Sequence, residues 1–94
     1  MDAPEGGRPR RARLPSNERV RIDGEAEASA WTINWSGDGV CLMCDERKLR
    51  PGETVSLELP ERHYRGTGRV IWAWEREGGC IAGLEILTLD RRAT

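Results

Sequence analysis

The strongest constraint in this chain is a period-two alternation of apolar and polar residues, repeated in short runs that Gly and Pro interrupt. Val20 and Ile22 alternate with Arg19, Arg21 and Asp23. Trp31, Ile33 and Trp35 alternate with Thr32 and Asn34, and Val55, Leu57 and Leu59 alternate with Ser56 and Glu58. Side chains two apart share one face of a strand, so each run reads as a strand with one buried face. Val40 to Met43, about Tyr64 to Glu75, and Cys80 to Leu87 bring the expected strands to six. On this reading Trp31, Ile33 and Trp35 face the core and Asn34 points away from it. Val70, Trp72 and Trp74 share one face of their strand, with Ile71 and Ala73 on the other.

The punctuation supports tight reversals. Ser36-Gly37-Asp38-Gly39 reads as a hairpin tip, because Gly supplies φ > 0 freely and Asp-Gly favours a close turn. Arg50-Pro51-Gly52-Glu53 has Pro and Gly where a type II turn wants them. Arg76-Glu77-Gly78-Gly79 is a third turn, and Asp45-Glu46-Arg47-Lys48 reads as a loop or a single helical turn. Thr88 is a plausible N-cap for a short C-terminal helix over Thr88-Leu89-Asp90-Arg91-Arg92. With no helix long enough for a crossover, the sheet must be mostly antiparallel, and a small closed or nearly closed barrel fits best.

A chain of 94 residues forms one domain, and no internal repeat is visible. There is no Phe, so the four Trp are expected to supply much of the core, Trp72 and Trp74 among them. A stacking platform for single-stranded nucleic acid is the other use of that Trp pair. Net charge is −1, yet residues 8–21 hold six Arg and one Glu, a balance of +5 against −6 for the rest. A basic arm on an acidic body suits an anionic or phosphate-bearing ligand, while the acidic body disfavours a long DNA or RNA track. Residues 1–17, rich in Gly, Pro and Arg, read as a flexible basic arm, and residues 18–94 as the folded domain. No run of about 18 apolar residues is present, so no membrane span is expected. Three Cys, an odd count, and an N-terminus without an apolar run point to a reducing, cytoplasmic setting.

Candidate binding residues gather in two places. The hairpin tip offers Asn34, Ser36 and Gly39: an amide, a hydroxyl and a bare backbone position. The arm offers Arg8, Arg10, Arg11 and Arg13, whose guanidinium forks suit phosphate oxygens, guanine N7 and O6, and purine faces. The Asn34 carbonyl suits the guanine N1–H and N2–H₂ edge. Capping of their own turn is the bland alternative for Asn34 and Ser36. Cys41 and Cys44 form a C-x-x-C that Cys80 and His63 would extend to a zinc set. Positions three apart face opposite sides of a strand, so buried free thiols and no metal are the preferred reading. His63 stands alone and the carboxylates show no paired signature, so a binding protein rather than an enzyme is expected.

At these residues the chain resembles the PilZ domain family, over about Arg8 to Leu87. Asn34-x-Ser36-x-x-Gly39 fits the family's (Asp/Asn)-x-Ser-x-x-Gly motif. Leu49-Arg50-Pro51-Gly52-Glu53, Gly68-Arg69-Val70-Ile71-Trp72 and Ala82-Gly83-Leu84-Glu85-Ile86-Leu87 are similar to the family's middle turn and last two strands. The resemblance implies an all-β fold, a six-stranded antiparallel β-barrel with a flexible basic N-terminal arm and at most a short C-terminal helix. It also implies a receptor for the bacterial second messenger cyclic di-GMP, with no other cofactor. The family's Arg-x-x-x-Arg arm motif is irregular here, since no two of Arg8, Arg10, Arg11 and Arg13 are four apart. By position Arg13 best matches the second motif arginine. The expected site is therefore Arg8, Arg10, Arg11, Arg13, Asn34, Ser36 and Gly39. The expected partners are the nucleotide and an unidentified downstream protein, with the chain a monomer or weak homodimer. The alternative is a PilZ-like interaction module of motility or polysaccharide regulation that does not bind the nucleotide. A small nucleic-acid-binding barrel is a third reading.

Overall fold

The computed structural model describes residues 14–91. They form seven strands and no helix: β1 (Leu14–Pro15), β2 (Arg19–Ile22), β3 (Ala30–Ser36), β4 (Gly39–Asp45), β5 (Thr54–Leu59), β6 (Tyr64–Arg76) and β7 (Gly79–Arg91). All pairings are antiparallel. The order β3-β2-β5-β6-β7-β4 closes through a β3–β4 pairing into a six-stranded barrel, with β1 added beside the far end of β3. Every expected strand is present. The short helix expected from Thr88 is not formed, because β7 continues to Arg91 against β6, with Tyr64 opposite Arg91. The Arg91 guanidinium also lies 5.9 Å from the Tyr64 ring centre. The stretch 45–48 contains no helical turn.

The turns use glycine unevenly. Gly52 has φ +91° and the Glu53 N–H donates to the Arg50 carbonyl at 3.1 Å, the type II geometry read from Pro-Gly. The Gly37–Asp38 turn needs no positive φ; the left-handed residues are Asp23, Gly24, Glu46, Gly52, His63 and Gly78. Gly39 is favoured by space instead, since a Cβ there would lie a tight 3.0 Å from the Leu84 carbonyl oxygen.

The core is aliphatic. Val20, Ile22, Val40, Leu42, Val55, Leu57, Leu59, Val70 and Leu84 are buried with Ala30, Ala82, Cys44, Cys80 and Leu49. The expectation that four Trp fill it is corrected. Trp72 and Trp74 are 44% and 72% exposed, Trp31 is half-buried, and only Trp35 packs against the core. Six strands enclose a narrow bore that branched aliphatic side chains fill and an indole does not fit. Two bulges carry the correction. Between Thr32 and Asn34 the register with β4 shifts, leaving Ile33 as the extra residue, so Ala30 and Thr32 are buried while Trp31 faces out. Between Val70 and Trp72 the shift leaves Ile71 extra, so Val70 and Ala73 face inward and Trp72 and Trp74 outward.

Among the described residues Thr32 is the one polar side chain that is fully buried, and its hydroxyl is satisfied. Its Oγ1 accepts from Ser16 Oγ at 2.7 Å and from the Glu18 N–H at 2.8 Å. Ser16 N–H donates to the Ile33 carbonyl, so the last residues of the stretch assigned to the arm are bonded along β3.

None of the three Cys forms a disulfide. The C-x-x-C is split by the strand: Cys44 faces inward opposite Cys80, while Cys41 is half-buried on the outer face. Burial, reinforced by the Cys80 sulfur, pushes the Cys44 thiol up to about 12. A thiol reagent at neutral pH is therefore expected to modify Cys41 first, and Cys44 and Cys80 only at the rate of unfolding, as read by mass spectrometry. An unfolded Cys44 ionises near pH 8.5–9 while the folded one stays protonated. Its contribution to stability is thus complete below that pH and is lost as pH rises toward about 12. Denaturant midpoints measured from pH 8 to 11 should fall less steeply in Cys44→Ala than in wild type.

Candidate ligand cleft on the outer barrel wall

The antiparallel register lines up outward-facing residues in rows across β6, β7, β4 and β3. Trp74 stands opposite Ile81, Ile81 opposite Met43, and Met43 opposite Trp31. The next row runs Trp72, Gly83, Cys41, Asn34, and the one beyond it Arg69, Glu85, Gly39, Ser36. The second and third rows form an open cleft of about 340 Å³, lined by Asn34, Ser36, Asp38, Gly39, Val40, Cys41, Ile71, Trp72, Gly83, Leu84 and Glu85.

Three of the seven expected site residues meet here. Asn34 and Ser36 are half-buried on the outward side of β3, and Gly39 begins β4 opposite Ser36. The expectation that Asn34 points away from the core holds because the Ile33 bulge turns Trp35, not Asn34, inward. Arg8, Arg10, Arg11 and Arg13 lie outside the described residues. The chain that carries them joins the barrel at β1, where Leu14 is opposite Trp35 and Pro15 opposite Asn34.

Trp72 stands on the outer wall rather than in the core, so of the two uses weighed for the Trp pair it is not the core filler. A Cβ on Gly83 would fall 2.1 Å from Trp72 Nε1 and 2.4 Å from Cε2. The indole therefore lies against bare backbone at Gly83, and its 44% exposure leaves the other side open to the cleft. An open indole face accepts a planar base or a guanidinium. The available signal was Gly83 itself, since a glycine within a strand marks a close approach. Asp38 and Glu85 were also missed, and they are the charged residues of the described lining. Glu85 accepts from Arg69 Nη2 at 3.1 Å, with both side chains about half exposed.

The apolar row beside the cleft continues the exposed surface. Trp74 is 72% exposed, and Arg76 Nη1 lies 3.2 Å from Met43 Sδ at its edge. Among the described residues no group of three or more His, Cys, Asp or Glu is arranged to hold a metal ion, and no helix is long and apolar enough to cross a membrane.

Compared with protein-family models, with curated proteins and with solved structures, the chain finds no match in any of the three.

Glycine substitutions separate the cleft from the fold. In Gly83→Ala the clash falls on a side chain that can swing away, so the barrel should persist, about 1–3 kcal/mol less stable, with the Trp72 indole released. A displaced indole N–H resonance in an otherwise conserved amide spectrum checks this. In Gly79→Ala the new Cβ would meet the Cys44 carbonyl oxygen at 1.9 Å, and the backbone cannot yield without losing the β4–β7 pairing. Its loss of stability should be the larger of the two in denaturant unfolding.

Proposed function

We propose that this chain is a PilZ-like receptor for cyclic di-GMP in bacterial second-messenger signalling. The ligand is held at the outer cleft and the arginine arm closes over it. The observation that carries the reading is the meeting of Asn34, Ser36 and Gly39 with the open side of Trp72 in one cleft, beside the strand where the arginine arm joins the barrel. A guanine base stacks on Trp72. The Asn34 carbonyl and a carboxylate of the cleft accept from guanine N1–H and N2–H₂, which are donors. Gly39 lets the backbone approach, and Ser36 Oγ donates or accepts as needed. Asp38 and Glu85 repel the two phosphates, so net binding requires cations from elsewhere, and Arg8, Arg10, Arg11 and Arg13 supply them.

Calorimetric titration with cyclic di-GMP at low salt tests the reading. Heat of binding is expected in wild type. Trp72→Ala should lose a stacking contribution of roughly 1–3 kcal/mol. Arg13→Ala should lose a charged hydrogen bond of roughly 1.5–3 kcal/mol. No heat at high micromolar ligand rejects the receptor.

A second reading rests on the row Trp74, Ile81, Met43 and Trp31. Trp74 is exposed and Ile81, Met43 and Trp31 are half-buried, and aromatic and Met side chains contiguous on a sheet wall are the composition of a protein interface. On that reading the chain is an interaction module whose partner binds without the nucleotide. A partner retained equally with and without cyclic di-GMP, and lost in a folded Trp74→Ala variant, would favour it over the receptor.

A further inference from the structure

The C-terminal half of β6 has one strand beside it where the N-terminal half has two. β5 pairs with β6 only over Tyr64–Arg69, and the turn at Gly52 and Glu53 takes both backbone groups of Val70. From Ile71 to Arg76, among the described residues, β6 is paired only with β7. The direction of its remaining backbone groups follows from one bond. Asp45 N–H donates to the Ser29 carbonyl, away from β7, so Asp45 and Gly79 stand opposite each other without exchanging bonds. Gly79 therefore bonds to Arg76 across the hairpin. Alternation along β6 then turns Trp74 and Trp72 toward β7, and turns the N–H and C=O of Glu75 and Ala73 to the open edge.

An open edge flanked by exposed apolar side chains is a template for another strand. Ile71, Trp72 and Trp74 are exposed, and Arg76 shares the outer face of Trp72 and Trp74, where it reaches Met43 Sδ. Edge-directed residues pair only with edge-directed residues, so a two-fold axis can join this edge to the same edge of a second copy in few registers. Centring on Glu75 sets two carboxylates opposite each other, and like charges there are destabilising. Centring on Ala73 brings Arg76 of the second copy opposite Val70, where Gly52 and Glu53 already lie. Centring on Trp74 has neither fault. Ala73 then exchanges both backbone bonds with Glu75 of the second copy, and Glu75 with its Ala73. The two Trp74 stand opposite each other as a non-hydrogen-bonded pair, the kind that brings side chains closer. Trp72 faces Arg76 of the second copy, a guanidinium against an indole. The edge is thus complementary to itself in backbone bonds, in shape and in charge.

We propose that this chain forms a two-fold dimer by antiparallel pairing of residues 72–76 of β6, with Trp74 on the axis. The row Trp31, Met43, Ile81 and Trp74 then continues through the axis into the same row of the second copy, giving one apolar band across both barrels. Trp72 lines the outer cleft, so each cleft has Arg76 of the other copy at its rim. The pairing uses backbone groups and side chains of β6 and needs no nucleotide.

Sedimentation velocity of the full chain without nucleotide, from low micromolar to low millimolar, should show a concentration-dependent shift from monomer to dimer. Glu75→Pro loses the outward N–H but no bond to β7, and should stay monomeric. Trp74→Lys changes an exposed side chain and places two ammonium groups opposite each other at the axis, so it should stay monomeric too. Conserved barrel amide resonances show that each variant folds. Disulfide trapping reads the register. In a Cys41→Ser background, Trp74→Cys should oxidise to a covalent dimer, because opposite Cα atoms of a non-hydrogen-bonded pair are about 4.5 Å apart, within disulfide reach. Trp72→Cys should not, because it stands opposite Arg76 rather than its own counterpart. A monomer at every concentration overturns the proposal. So does a dimer that folded Trp74→Lys retains, or one that traps Trp72→Cys as readily as Trp74→Cys. Association is read with no nucleotide present, so it succeeds or fails separately from the titration with cyclic di-GMP.

Discussion

Closing six antiparallel strands edge to edge leaves a bore that only small and branched aliphatic side chains fill, and the rest of the molecule follows from that limit. Val, Leu, Ile, Ala and two Cys occupy the interior, with Leu49 closing one end while its N–H donates to Cys80 Sγ. Trp72 and Trp74 are too large for it and stand on the outer wall. Closure also removes sheet edges along most of each strand. The β3–β4 hairpin sets Asn34 and Ser36 next to Gly39 and Cys41, and the β4–β7 pairing brings the β7 wall beside them. The outer cleft thus follows from an aliphatic core that leaves Trp72 on the outer wall and from the pairings that bring the hairpin tip beside it.

The faces of the strands are decided by single extra residues. Ile33, Ile71 and Leu87 each sit in a register shift, and each shift exchanges inward and outward positions beyond it. Without the shift at Ile71, Trp72 would share Val70's inward face. Without the one at Ile33, Asn34 and Trp35 would trade places and the cleft would lose its amide. A further local device is glycine used for space rather than for conformation. Gly83 lets the Trp72 ring lie down, and Gly39 admits the Leu84 carbonyl.

Electrostatically the wall and the arm are opposites. The cleft holds carboxylates, the arm holds arginines, and the chain's net charge of −1 conceals the division. The apolar row of Trp74, Ile81, Met43 and Trp31 adjoins the cleft, so whatever occupies the cleft borders that surface.

The sequence by itself determined the class of fold and the strand inventory. Period-two alternation, the Pro51–Gly52 turn and the lack of a helical period are local properties that no tertiary contact needed to confirm. The hairpin tip with Asn34, Ser36 and Gly39 was legible for the same reason, since its residues are within six positions of one another. The sequence missed the outward orientation of Trp72 and Trp74, the packing of Trp72 on Gly83, and the extension of β7 through Thr88–Arg91. Those depend on where a bulge falls and on which strand lies alongside. A bulge is fixed by packing between strands distant in sequence, so Trp72 could be turned to Asn34 only by the closed tertiary structure.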